Sequence, residues 1–301
     1  MPELPEVETV RRELAPWLTG RTILEARRVD APAGPKYADL PLAQGQRIAA
    51  VDRRGKFLVF PLIHPGRDDP ADARDVLVIH LGMTGILSAT PPPAHERARL
   101  VLDAGPDPVV HFRDVRRFGR CLVLPGGDPS RLPTLANLGP EPLSDAFTPR
   151  RFRAALRRSE VAIKTLLLSQ KPVAGLGNIY ADEALWRARV HPATPAKRVA
   201  RDGGTIEALH GAIRDVLEAA IRAQGTTLND YRTVNGEVGA YLAQLDAYGH
   251  EGDPCPRCGA PLERRVLAGR SSHFCPRCQP TPRRAPRRGP RGRRGAQRGA
   301  G

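Results

Sequence analysis

The chain has 301 residues, a formal net charge of +15 and an isoelectric point near 10.5, so it is long enough for two domains and a polyanion is the first partner to consider. No long apolar run or basic amphipathic anchor is visible, which places phosphate binding ahead of membrane binding. No signal peptide precedes the first motif, and four of the five cysteines fall in CxxC pairs, so a reducing cytoplasmic location is expected.

Met1-Pro2-Glu3-Leu4-Pro5-Glu6-Val7-Glu8 sets two prolines and three carboxylates ahead of Val7, Val10, Leu14 and Trp17, which have helical spacing. Pro5 suits the first helical position, and the acids suit the positive end of the helix dipole. A well-started helix is the plain reading. The chemical reading begins with removal of Met1, which a small second residue normally permits. Pro2 would then be a terminal secondary amine near a helix N-terminus, where positive potential disfavours its protonated form. Such an amine attacks carbonyl-like carbon, and its iminium adduct has no N–H proton to lose, so the cation persists and favours elimination nearby. Glu3, beside it, is a candidate general acid or base.

After Gly20 come short β-rich runs near Thr22–Val29, Arg47–Val51, Phe57–Leu62, Val76–Leu81, Ile86–Ser88, Arg99–Leu102, Val109–Phe112 and Cys121–Leu124. Proline and glycine breaks separate them, which predicts an antiparallel sandwich or flattened barrel carrying the N-terminal helix. Three places punctuate this frame. Arg53-Arg54-Gly55-Lys56 reads as a basic turn, for which edge protection is the ordinary purpose. His80-Leu81-Gly82-Met83-Thr84-Gly85 puts a methionine between glycines, fitting an exposed tip as well as the usual core filler. Arg116-Arg117-Phe118-Gly119 is either a solvated basic turn or a wedge with a base-bonding arginine. Cys121 reads as a small core residue.

From Pro125 to Phe147 turn residues dominate and a linker is expected. Helices are predicted from Thr148-Pro149 to about Arg158, over Val161–Ser169, over Asn178–Arg189 and over Thr205–Gln224, the last stopped by Gly225. Between the second and third, Gly175-Leu176-Gly177-Asn178 is either a tight interhelical turn or a backbone cradle for phosphate. Asn178 could cap the following helix. Residues 226–253 are too long for a bland connection.

Cys255-Pro-Arg-Cys258 and Cys275-Pro-Arg-Cys278 are two knuckles with a hairpin-length spacer, supplying four thiolates for one tetrahedral zinc. Four cysteines leave no open coordination position, so the zinc is expected to be structural. Arg264, Arg265 and Arg270 lie on the hairpin. Beyond Pro280 the chain holds eight arginines and no acid; it cannot bury a core, and it would add to duplex affinity by counterion release if it engages DNA. The remainder still carries +7.

MPELPEVETVRREL is similar to the N-terminus of formamidopyrimidine-DNA glycosylase, and KTLLLSQKPVAGLGNIYADEALW resembles that family's helix-two-turn-helix signature. The related endonuclease VIII group usually has Gly where this chain has Leu4. The resemblance implies an α+β multidomain chain: a catalytic β-sandwich with a leading helix over 1–125, a linker over 126–147 and a helix-two-turn-helix domain over 148–250. A four-cysteine zinc ribbon over 251–280 and a basic tail over 281–301 complete it. It implies a monomer, cytoplasmic and nucleoid-associated, acting on double-stranded DNA with oxidised purines or abasic sites. Pro2 would attack the sugar, Glu3 would donate a proton for ring opening, and Lys56 and Arg270 would assist elimination. Met83, Arg116 and Phe118 would fill and read the space left by a flipped nucleotide, and His95, Lys164 and Asn178 would contact the DNA backbone. Departures occur at Val115, where the family usually has Pro, and at Tyr241-Leu242, where it has Phe-Gln. An enzyme for oxidised pyrimidines is the nearest rival, against which Leu4 and the Arg116-Arg117-Phe118 loop argue. A non-catalytic zinc-ribbon DNA binder is the rival from another class.

Overall fold

The computed structural model describes residues 2–103, 105–226 and 233–281; the expectations for Met1, for the tail from 282 and for residues 227–232 fall outside the described residues. The leading helix α1 (Leu4–Leu18) starts one residue earlier than its prolines suggest, with Pro5 in its first turn and Glu3 as N-cap. The backbone N–H of Glu3 donates to Glu6 Oε2 at 2.7 Å, which closes the first turn. Leu4 enters the core of the helical half, whereas Val7, Val10, Leu14 and Leu18 enter the core of the sandwich. One helix thus seals both halves of the molecule.

The strands are β1 (Ile23–Arg28), β2 (Arg47–Ile48), β3 (Asp52–Arg54), β4 (Phe57–Ile63), β5 (Asp75–His80), β6 (Gly85–Ser88), β7 (Glu96–Leu102), β8 (Val109–Asp114) and β9 (Arg120–Leu124). They form a four-stranded sheet in the order β1-β7-β8-β6 and a second in the order β2-β4-β5-β9, with β3 paired to β4. Facing side chains such as Phe60, Leu62, Ile79, Leu100, Val110 and Phe112 exclude water between them. The basic turn expected at 53–56 is shorter than its sequence suggests. Asp52–Arg54 pairs with Phe57–Val59, so only Gly55 and Lys56 form the hairpin turn, with Gly55 at φ 58°. Cys121 is buried in the sandwich core as expected, and burial pushes its thiol up to about 12.

The helical half contains α2 (Pro133–Ala136), α3 (Pro149–Leu156), α4 (Ile163–Leu168), α5 (Asn178–Arg187), α6 (Ala196–Val199) and α7 (Gly203–Arg222). Thr148 opens α3 by accepting from the Arg151 N–H at 3.2 Å. Asp202 opens α7 two residues earlier than expected, because its carboxylate accepts from the Thr205 N–H at 3.0 Å. The short helices α2 and α6 have too few residues to show a period.

The ribbon strands β10 (Glu263–Leu267) and β11 (Arg270–Phe274) form an antiparallel hairpin with Gly269 at φ 76° in its turn. Two carboxylates of α5, both fully buried, anchor this ribbon and the segment before it. Asp182 accepts from the His273 N–H at 2.9 Å, and Glu183 accepts from the Asp246, Ala247 and Tyr248 N–H groups at 2.9, 2.9 and 2.8 Å. No described helix is long and apolar enough to cross a membrane.

Candidate active site

Glu3 reaches across the domain boundary to the start of α5. Its carboxylate accepts from the Gly177 N–H at 2.6 Å and from the Ile179 N–H at 3.0 Å. The residue that precedes α5 is a glycine with no side chain to cap it, so Glu3 supplies the cap from 174 residues away. The glycine is required by space. A Cβ on Gly177 would lie 2.3 Å from Glu3 Cδ and 2.6 Å from Lys56 Nζ. The Lys56 ammonium, the Glu3 carboxylate and the first turn of α5 therefore meet at one point.

Lys56 is 3 % exposed, delivered by the two-residue turn at the end of β3. Burial holds its ammonium below the ordinary lysine range, and the charge of Arg270 adds to this, while Glu3 and Glu6 pull the other way. Glu6 is equally buried. It accepts from the Glu3 N–H, the Tyr180 hydroxyl at 2.5 Å and the Thr226 N–H at 2.7 Å. Burial and the neighbouring Glu3 charge raise its carboxyl above the usual range. Glu6 is the positioning residue that the sequence reading passes over, although Glu-x-x-Glu at a helix start was the available signal.

A cavity of about 600 Å³ opens on this point, lined by Glu3, Lys56, Met83, Asn178, Tyr248 and Arg270 among others. Pro2, buried, immediately precedes Glu3. Asn178 does not cap α5; it is the first helical residue, and its Nδ2 donates to Ser271 Oγ at 3.1 Å while its Oδ1 is buried without a hydrogen-bond partner among the described residues. Lys164 is not presented to solvent as a backbone-binding lysine would be. It is 1 % exposed, its Nζ is 2.7 Å from Asp182 Oδ1, and it donates to the Ser271 carbonyl, so it fixes the ribbon strand that carries Arg270. Tyr241 is wholly buried in the helical core, 5.9 Å from the Tyr180 ring, whereas Leu242 is exposed.

Arg116, Phe118 and His95 lie off this cavity on adjoining turns. Phe118 is 48 % exposed, with the Arg116 guanidinium 5.0 Å and the Lys36 ammonium 6.0 Å from its ring centre. His95 is exposed at φ 64°, and its carbonyl accepts from the Asp114 N–H at 3.0 Å, which puts it at the root of the Phe118 turn. His80, close enough to Lys56 to feel its charge, accepts from the Gly82 N–H at 3.1 Å and shapes the turn of Met83.

The sulfurs of Cys255, Cys258, Cys275 and Cys278 all lie within 4.8 Å of one another. Tetrahedral zinc with bonds of about 2.3 Å needs sulfurs roughly 3.8 Å apart, so the set fits a single structural zinc. That ion would crosslink the two knuckles and lend no open position to chemistry.

Comparison with known proteins agrees along the chain. Residues 1–121 match the formamidopyrimidine-DNA glycosylase N-terminal domain, 138–232 its H2TH domain, and 252–281 the zinc finger found in FPG and IleRS. Formamidopyrimidine-DNA glycosylase of Thermus thermophilus is 47 % identical over 281 residues, covering 93 % of this chain and 98 % of that protein. The Deinococcus radiodurans enzyme of the same name is 43 % identical over 286 residues, with 93 % and 98 % covered. The crystal structure of the MutM (Fpg) protein from Thermus thermophilus superposes with a TM-score of 0.83 over 92 % of this chain and 98 % of that one, at 47 % identity. The Lactococcus lactis Fpg in complex with DNA containing an abasic site gives 0.76 at 33 % identity, over 92 % and 99 %. The chain belongs to the formamidopyrimidine-DNA glycosylase family.

Proposed function

We propose that this protein excises oxidised purines, typified by 8-oxoguanine and formamidopyrimidines, from duplex DNA and then cuts the strand at the resulting abasic sugar. The observation that carries the reading is the meeting of Glu3, Lys56 and Arg270 on one cavity directly after Pro2. Lactococcus lactis relatives bound to DNA containing Fapy-dG or an abasic site support the substrate class.

With Met1 removed, the Pro2 nitrogen attacks the sugar C1′; the damaged base leaves with the bond electrons and takes up the proton that the Pro2 nitrogen gives up. Glu3 in its acid form gives a proton to the ring oxygen as the sugar opens, leaving an iminium on Pro2. Loss of a C2′ proton breaks the bond to the 3′ phosphate, and a second elimination releases the 5′ phosphate. Lys56, whose burial favours loss of its proton, would take protons in these steps, and Arg270, on the same cavity, would hold the phosphate beside the lesion. Met83, Arg116 and Phe118 would occupy the gap left by the flipped nucleotide, since an unfilled gap costs a few kcal/mol of stacking.

Borohydride present during cleavage of a lesion duplex tests the reading. An adduct that maps to residue 2 is expected, and an adduct confined to lysine would overturn it.

A further inference from the structure

A second cavity, of about 840 Å³, shares no lining residue with the candidate active site. Its walls are α3, α6 and the first turn of α7. Arg150, Arg153 and Arg157 recur at helical spacing and make one stripe along α3, and Lys197 and Arg201, four residues apart, face them. Glu207 is the one carboxylate in the lining. Arg153 is engaged with the Ala200 carbonyl at 2.8 Å, and Lys197 is paired with Glu160. Arg150, Arg157 and Arg201 are exposed and have no side-chain hydrogen bond or ion pair among the described residues. Three unpartnered guanidiniums around one trough repel one another unless an anion joins them.

The trough lies apart from the lesion cavity, with no lining residue in common. It sits at the N-terminus of α7, while just past the other end of that helix Gly225 lies so near Glu6 that a Cβ would be 2.6 Å from its Oε1. Twenty helical residues separate the two ends by about 30 Å. Along α3, eight residues span about 12 Å, the rise of three to four phosphates on one strand. A single guanidinium binds phosphate oxygens in a bidentate fork, and contacts of that kind hold a duplex in place without reading its sequence.

We propose that this trough is a second, sequence-independent binding site for the phosphodiester backbone of duplex DNA. The proposal rests on duplex DNA being the partner, as in the proposed function, and is independent of the excision chemistry. The backbone can come from the flank of the lesion-bearing duplex or from a second duplex segment.

Full-length protein and its combined Arg150→Gln, Arg157→Gln and Arg201→Gln variant would be titrated with an undamaged three-turn duplex over a range of salt. The variant's log–log salt slope should be shallower by roughly 2 to 3, at up to about 0.9 per lost phosphate contact. Single-turnover base release from a saturating one-turn lesion duplex should be unchanged. The corresponding Arg-to-Lys triple variant should keep most of the slope, and matching thermal midpoints would show that all three proteins fold alike. If lengthening the lesion duplex raises affinity in the wild type alone, the flank is the occupant. If wild type saturated with a one-turn abasic duplex captures a second labelled duplex and the Gln variant does not, the occupant is another segment. Equal salt slopes in wild type and Gln variant would overturn the proposal, and so would loss of base release on the one-turn duplex, which would place these arginines in the lesion site. Failure of the excision reading would show separately, as wild type that releases no base.

Discussion

The Thr84 hydroxyl donates to the Asp114 carboxylate at 2.5 Å, and this bond ties the turn of Met83 to the turn of Phe118. Asp114 is wholly buried, and its second oxygen accepts from the Gly119 N–H at 2.7 Å. Thr84 Oγ1 in turn accepts from the Arg116 N–H at 3.0 Å. The backs of the turns also touch, since a Cβ on Gly82 would lie 2.5 Å from the Gly119 nitrogen. Met83 and Phe118 are consequently held as one body, which suits the proposed filling of one gap by both side chains.

Thr84→Val keeps the volume of the side chain and removes both hydrogen bonds, leaving an Asp114 oxygen buried without its donor. The expected loss of stability is about 1–3 kcal/mol. Single-turnover base release should slow while ground-state binding of an abasic duplex changes little, and Thr84→Ser should restore release. If Val and wild type release base at equal rates, the two turns do not act as a unit.

Glu3→Gln should abolish base release and leave binding to damaged duplex largely intact, because an amide cannot give the required proton. One amide oxygen can accept from the Gly177 or the Ile179 N–H, but the amide nitrogen then faces the other donor. A stability loss of about 1–3 kcal/mol should therefore accompany the loss of chemistry. Thermal unfolding and gel-shift titration of the same preparation separate the two effects, and normal turnover would remove Glu3 from the mechanism.

Gly177→Ala is the smallest change that should disable the site. The added methyl would overlap Glu3 Cδ at 2.3 Å and Lys56 Nζ at 2.6 Å, so both groups must move. A displacement of about 1 Å at reacting groups can cost on the order of 100-fold in rate. Gly211→Ala provides the contrast within α7. Beyond its own helix backbone, no atom of the described residues lies within 4 Å of its added Cβ, and the change should stabilise the protein by about 0.5–1 kcal/mol with activity unaltered. Equal activities of the two variants would refute the crowding argument.

His80 should remain neutral far into acid. Burial, then the charges of Lys56 and Arg120, pull its imidazole from 6.5 down to about 4. The Gly82 N–H donates to its Nδ1, which a proton would block. Between those two values the unfolded chain binds the proton and the folded chain does not, so this stabilisation is complete above pH 6.5 and lost as pH falls through about 4. Titration of its ring protons by NMR should give a midpoint near 4, and His80→Gln should flatten the stability profile across that window. A midpoint near 6.5 would contradict the packing.

The parts of the site that the chain announces are local in sequence. Pro2 and Glu3 adjoin a helix start, Lys56 follows the glycine of a two-residue turn, and the cysteines repeat a knuckle. What stays hidden depends on partners far away along the chain. Asn178 looks like an N-cap until Glu3 takes that place from the other end of the chain. The family resemblance implies a DNA-backbone contact for Lys164, and nothing nearby in sequence reveals its buried Asp182 partner and the Ser271 carbonyl it holds. Thr84 and Asp114 look like ordinary turn and strand-end residues for the same reason.

Zinc removal should act on DNA binding through Arg270. The hairpin that carries this arginine is secured at one side by the four thiolates and at the other by Lys164, Asn178 and Asp182. Around the thiolates the packing is thin, with Trp186, Ala247, Ala260 and Leu262 as the apolar neighbours among the described residues, so the metal has to supply most of the order there. The Arg257 guanidinium lies 4.1 Å from the Trp186 ring, and opening of the first knuckle should draw it away. Chelation should therefore change Trp186 emission and weaken binding of damaged duplex by at least about tenfold, or 1.4 kcal/mol. Because Trp17 is the other tryptophan and lies in α1, outside the ribbon, Trp17→Phe isolates the signal. Readdition of zinc should restore both emission and affinity. Metal-free protein with unchanged emission and unchanged affinity would show that the three side-chain anchors alone hold Arg270 in place.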